Sequence, residues 1–186
     1  MSVSGSAADL ALLALRLALA VVFLAHGANH IWGGGKIAGT ARWFSSLGMN
    51  PGILHAWTAS LTELGAGSLA VLGLLTPFAG AGIVGTMLVA WITNHLRNGF
   101  FIFRAGEGWE YVGTLTVLGL VLATLGPGGW SLDAHVSALQ HLWGWSGFLI
   151  ALLAGAGGAA VLLAASWRPR HTPAHVSIVE ASRSID

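Results

Sequence analysis

Residues 26–30 read His-Gly-Ala-Asn-His, which sets two imidazoles four positions apart on one helix face. A zinc protease with that spacing needs a glutamate directly after the first histidine as general base. Gly27 stands there, so proteolysis is excluded. No G-x-S-x-G elbow supplies a hydrolase serine, and the chain has no cysteine. That removes thiolate nucleophiles, disulfide relays, thiolate zinc sites and self-made iron–sulfur clusters. The chemistry left is proton carriage and hydrogen bonding. The residues that could do it are His26, Glu63 and His95, with Arg16, His30, Trp32, Asn98, Glu110 and Tyr111 around them and no metal site. Two phosphate-binding patterns also fail. Residues 80–85 (Gly-Ala-Gly-Ile-Val-Gly) match the dinucleotide fingerprint, but they sit inside an apolar span, not between a strand and a helix. Residues 33–36 (Gly-Gly-Gly-Lys) lack the earlier glycine and the following Ser or Thr of a phosphate loop, and read as a flexible joint.

The elements that must hold these residues are membrane helices. Of 186 residues, 55% are hydrophobic and 8% charged, against roughly a quarter charged in a soluble domain. The net charge of +1 provides no field for a nucleic-acid backbone, so nucleic acid is not a partner; the lipid bilayer is. Five stretches reach the length of about 20 residues that crossing about 30 Å of hydrocarbon requires, or come close to it: residues 10–31, 54–75, 77–96, 110–125 and 145–167. Thr76 and Pro77 suit a cap and a first helical position, which predicts a tight hairpin between the second and third spans. Glycines at 65, 67, 80, 82, 85, 155, 157 and 158 read as helix-packing residues. Most of the tryptophans fall at span ends, as indoles do at the membrane interface. Residues 37–47 suit a short amphipathic helix on the membrane surface, and the polar stretch from residue 168 to 186 reads as a disordered tail. Apolar segments recur along the whole chain, and nothing resembles a removable signal peptide. With five spans, Lys36, Arg42, Arg97, Arg104, Arg168, Arg170 and Arg183 share one side and none lies on the other. The positive-inside bias then predicts the N-terminus outside and the C-terminus in the cytoplasm.

Ionisable groups at membrane depth are costly and therefore functional candidates. Arg16, Phe23, His26 and His30 lie within about 80° of one another around the first helix. His26 is about 8 Å and Glu63 about 13 Å from the cytoplasmic ends of their spans, which predicts a His26–Glu63 pair. Arg16 lies about 9 Å from Glu63 along the membrane normal and either reaches inward or snorkels outward. His55, Asn94, His95, Arg97, Asn98, Glu107, Glu110 and Tyr111 gather at the cytoplasmic mouth, as a site or as a solvated fringe.

These residues resemble the DoxX family of small bacterial membrane proteins. The resemblance rests on Arg16 with Phe23-Leu24-Ala25-His26-Gly27, then Glu63-Leu64-Gly65 leading into Leu72-Gly73-Leu74-Leu75-Thr76. It continues through His95 with Asn98-Gly99-Phe100-Phe101, Glu110-Tyr111, and Gly126-Pro127-Gly128 with Ser131-Leu132-Asp133. It implies an all-α integral membrane bundle: a short N-terminal segment (1–9), a four-helix domain over residues 10–133, an additional transmembrane helix within 134–167, and the tail. It also implies quinone-linked redox chemistry, partnership with soluble redox enzymes, and functional polar positions at Arg16, His26, Glu63, His95, Asn98 and Glu110. His30 stands where the family often has lysine.

The resulting expectation is a membrane subunit of a quinone-linked oxidoreductase system. His26 and His95 donate to quinone carbonyls or carry protons, Glu63 accepts a proton or orients His26, and Trp32 or Tyr111 packs the ring. Electrons come from a soluble cytoplasmic enzyme or another membrane subunit. The alternatives are a ligand-free anchor or assembly scaffold and a b-type haem subunit with histidine ligands. A transporter fits less well, because no duplicated broken-helix pattern occurs.

Overall fold

The computed structural model describes residues 5–169; residues 1–4 and most of the expected tail, with Arg170 and Arg183, lie outside them. The described chain is helical: α1 (Gly5–Trp32), α2 (Lys36–Ser46), α3 (Gly52–Leu72), α4 (Thr76–Ala90), α5 (Glu110–Leu125), a short α6 (Ser137–Gln140) and α7 (Trp145–Ser166). α4 runs on into a π-helical turn, Trp91–His95. Among the described residues the only β pairing is one isolated bridge, Met49 to Trp167.

Three helices are long and apolar enough to cross a membrane: Gly5–Trp32, Thr76–His95 and Trp145–Ser166. The other two expected spans are helices of a different make. α5 has 16 residues, about 24 Å of helix. α3 has 21 residues but carries His55, Ser60 and Glu63, all buried. Those polar groups face protein, so the helix can be less apolar than a lipid-facing one. α1 packs mainly on α3, while α4 packs on α3, α5 and α7. α7 packs on α4 and α5.

The α3–α4 hairpin forms where it was expected, with different capping. Thr76 is the first helical residue, not the cap; Leu75 precedes it with φ +47°. The capping oxygens come from the loop after α5. The buried Asp133 carboxylate accepts from Leu75 N (2.8 Å), Thr76 N (2.9 Å) and Thr76 Oγ1 (2.7 Å), placing an anion on a helix N-terminus. Arg16 does the converse at the end of α3. It is 0% exposed and donates to Ala70 O (3.4 Å) and Val71 O (3.2 Å), a cation on helix C-terminal carbonyls, and to Trp130 O in the loop after α5. Gly73 takes φ +58° there, and a Cβ on it would stand 2.2 Å from Arg16 Nη1. Arg16 therefore neither snorkels nor faces Glu63.

Two buried clusters make the core. Leu19, Phe23, Ile83, Met87, Val112, Leu115 and Leu122 join α1, α4 and α5; Phe44, Met49, Ala56 and Leu163 join α2, α3 and α7. Close helix approach uses Gly67, Gly80, Gly82, Gly85 and Gly155, whereas Gly65, Gly157 and Gly158 have open space where a Cβ would be. Those three are not packing residues. At the other end of the bundle the chain is tied by Asn50 N to Ser166 O (3.2 Å), Arg168 N to Gly48 O (2.8 Å) and Trp167 Nε1 to Leu47 O (3.0 Å). Among the described cations, Lys36, Arg42, Arg97, Arg104 and Arg168 all lie in the segments at this end.

Candidate functional site

Where the two clusters meet, they leave a cavity of about 760 Å³. Met87 reaches it from one cluster, Phe44 and Met49 from the other. His26, His30, Glu63, His95 and Tyr111 line it; Arg16, Trp32, Asn98 and Glu110 do not. The structure thus brings together five of the nine residues marked in the sequence.

α1 and α3 position the deepest pair. Gly27 brings α1 against α3, where a Cβ would stand 3.1 Å from Glu63 Cβ and 2.9 Å from Leu64 Cγ. The partner of Glu63 is His30, not His26: His30 Nδ1 lies 3.2 Å from Glu63 Oε2. Helical side chains lean toward the N-terminus. His30 therefore leans back over the level where Gly27 meets Glu63, and His26 leans past it. The contact is close enough for attraction to a protonated ring, yet off the line a hydrogen bond needs, so both atoms remain without a hydrogen-bond partner. His26 lines the cavity from an exposed position, as does Asn29, so the cavity communicates with the outside along α1.

The π turn after α4 places Asn94 and His95 on the same cavity. Extra-residue turns of this kind recur at functional sites. His95 is committed at both nitrogens: Nδ1 donates to Glu107 O (2.9 Å), and Nε2 accepts from Asn94 Nδ2 (3.2 Å). It is a positioning residue for the 96–109 loop. Asn98 has the same task, donating to Asn94 O (2.9 Å), Glu107 O (3.1 Å) and Gly106 O. Glu110 accepts from Ile102 N (3.1 Å). Trp91 stacks on Trp109 with centroids 5.0 Å apart, which fixes the loop to the end of α4.

Ring packing also differs from expectation. Trp32 is 71% exposed. The aromatic lining is Trp43 and Phe44 of α2, 4.9 Å apart and edge to face, together with Tyr111 of α5. α7 adds Gly155, Gly158, Ala159 and Leu162. The sequence reading missed this wall, because nothing in an apolar helix marks which face it turns to a cavity. His55, first placed in the mouth fringe, is buried in the cavity lining with neither ring nitrogen partnered. Among the described residues no group of three His, Cys, Asp or Glu could hold a metal.

Fold and site define a multi-pass helical membrane protein with a cavity whose mostly apolar walls carry a few polar groups. The DoxX family model matches residues 11–96, and that stretch is a DoxX domain; it contains Arg16, His26, His30, His55, Glu63 and His95. Comparison with curated proteins and with solved structures gave no match.

Proposed function

We propose that this chain is the membrane subunit of a quinone-linked oxidoreductase system of the bacterial cell membrane. The quinone head occupies the cavity, and a soluble redox enzyme docks on the face bearing Lys36, Arg42, Arg97, Arg104 and Arg168. The cavity carries the reading: about 760 Å³ lies within the roughly 300–1,000 Å³ of small-molecule sites, and its apolar walls hold a few polar groups. The residues fit the group. His26 and His30 of α1, Glu63 of α3 and Tyr111 of α5 all stand on the cavity lining, donors and a carboxyl of the kind that quinone oxygens and a proton route require.

Bound quinone supplies reversible two-electron, two-proton chemistry. His26 and His30 would donate hydrogen bonds to it, and Glu63 would hold or pass a proton at Oε2. Trp43, Phe44 and Tyr111 would pack against the ring, and the small and apolar residues of α7 would exclude water. His95, Asn98 and Glu110 keep the 96–109 loop in place at the mouth. Membranes carrying the Glu63→Gln variant are expected to keep normal protein levels and lose quinone-dependent turnover at least tenfold, since proton-transfer groups contribute about 10²–10⁴. Purified wild type is expected to yield extractable quinone and no Soret band. Full turnover in Glu63→Gln overturns the role of that carboxyl; a haem spectrum overturns the quinone.

A further inference from the structure

The cavity follows α4 from Ala81 through the π turn to His95, about 20 Å along the helix axis, and its character changes on the way. Asn29 and His30 stand in the last turn of α1, Asn94 and His95 in the π turn and Glu107 in the loop beyond, all at the cation-rich end of the bundle. Glu63 is turned toward α1, where Gly27 meets it. The rest of the cavity lies between α3 and α7. Both helices pack on α4, yet they are not a packed pair themselves. Near the cation-rich end Phe44 and Met49 bridge Ala56 to Leu163. Further in, the gap is a slot lined by mostly short side chains. Its floor is one face of α4, on which Gly82, Gly85, Thr86 and Val89 recur at helical spacing. Its sides are Thr58 and Thr62 of α3 and Ala154 and Gly158 of α7. A Cβ on Gly82 would stand 3.4 Å from Thr62 Cγ2, and one on Gly85 3.1 Å from Gly155 O, so α4 holds both neighbours close and the slot is narrow. Thr58, Ala154 and Gly158 are exposed, which opens the slot on the flank of the bundle. Gly85 lies nine residues after Thr76 and ten before His95, the ends of that span, and so half-way through the hydrocarbon.

We infer that the slot between α3 and α7 is a subsite for the hydrocarbon chain of the cavity's ligand, and that the chain leaves the protein there into the bilayer core. The inference rests on the quinone reading and adds to it the division of the cavity and the side from which it is loaded. The head lies among the polar groups, and the isoprenoid tail runs over Gly82 and Gly85. The other exposed stretch of the lining, His26 and Asn29 on α1, is polar and is not the tail's exit. Two observations commit the slot to a chain. It is continuous with the polar part of the cavity, and it opens at a depth where the surroundings are acyl chains. A chain entering it from lipid exchanges one apolar surrounding for another, so the slot selects by shape more than by affinity. Its short side chains leave that shape free.

The test uses the purified full chain in mild detergent and two probes: menadione, which has no tail, and a menaquinone whose short isoprenoid tail ends in a diazirine. Photolysis of the wild-type complex is expected to attach the tail to peptides covering residues 58–62, 82–89 or 154–158. Labelling confined to α1 around His26 and Asn29 overturns the inference and leaves the quinone reading standing. Gly158→Leu fills the slot without a clash, because a Cβ there meets nothing within 4 Å. It is expected to keep the wild-type thermal midpoint, to bind menadione as wild type does and to bind the tailed probe about tenfold more weakly, as overpacking would. Gly157→Leu, beside the lining but not on it, is the control and should leave both affinities unchanged. Unchanged affinity for the tailed probe in Gly158→Leu, or an equal loss for both probes, overturns the role of the slot. If Gly158→Leu fails to fold, the wild-type labelling pattern decides alone. Binding of menadione without the tailed probe overturns the inference only; failure of wild type to bind either probe overturns the quinone reading with it.

Discussion

Arginine and aspartate in this bundle act on helix ends, each where its charge opposes the local dipole. Arg16 serves the last carbonyls of α3 and Asp133 the first amides of α4, so the hairpin between those helices is held from both sides. Replacing Arg16 by leucine removes the donor from three carbonyls, and a loss of about 1–3 kcal/mol is expected for acceptors left unsatisfied. Asp133→Ala removes one cap and is expected to cost about 1–2 kcal/mol. Thermal unfolding in detergent ranks the two, and menadione affinity checks their role. Neither residue lines the cavity, so affinity should stay unchanged in whatever fraction remains folded. A large affinity loss at full stability would place Arg16 in the site after all.

Among the elements, α7 is the one whose contribution depends on close approach. A Cβ on Gly155 would stand 2.8 Å from Ala81 O and 2.9 Å from Val84 Cβ, while Gly157 has open space. Gly155→Leu is therefore expected to push α7 off α4, costing about 1–3 kcal/mol and weakening ligand binding, whereas Gly157→Leu should match wild type in thermal midpoint and affinity. Equal behaviour of the two variants would mean that α7 does not wall the cavity. The same element marks what could be read from the sequence. Apolar runs and the Gly-Pro punctuation located the helices to within a few residues, since lipid leaves the backbone few other choices. Facing was harder. A pattern apolar all round, as in α7, carries no phase, so Gly65 and Gly157 were indistinguishable from Gly67 and Gly155. The Glu63 partner shifted from His26 to His30 because the deciding quantities, the Gly27 contact and the backward lean of side chains, are properties of a packed pair of helices. Asp133 was visible as part of a motif, but its cap on Thr76 spans a loop that no local rule connects.

At the scale of the molecule, five described cations stand at one end of the bundle, and the only other described cation, Arg16, is buried. The positive-inside bias then predicts that this end, with the proposed docking face, lies in the cytoplasm. A C-terminal fluorescent protein should glow and a C-terminal alkaline phosphatase should be inactive; the reverse pair of results would put the docking face on the wrong side for a cytoplasmic partner. The latch at the far end has a bearing on how the protein is made. Arg16 leaves the ribosome with the first helix, yet its acceptor on Trp130 lies 114 residues further along the chain. Until that loop and the end of α3 arrive, a guanidinium must wait in or beside the bilayer without its carbonyls, at a cost of about 2.5–3.5 kcal/mol on insertion scales. Secure seating of the N-terminal helix is thus deferred until about seven-tenths of the polypeptide has been synthesised, and a nascent chain halted before Trp130 should remain open to extraction.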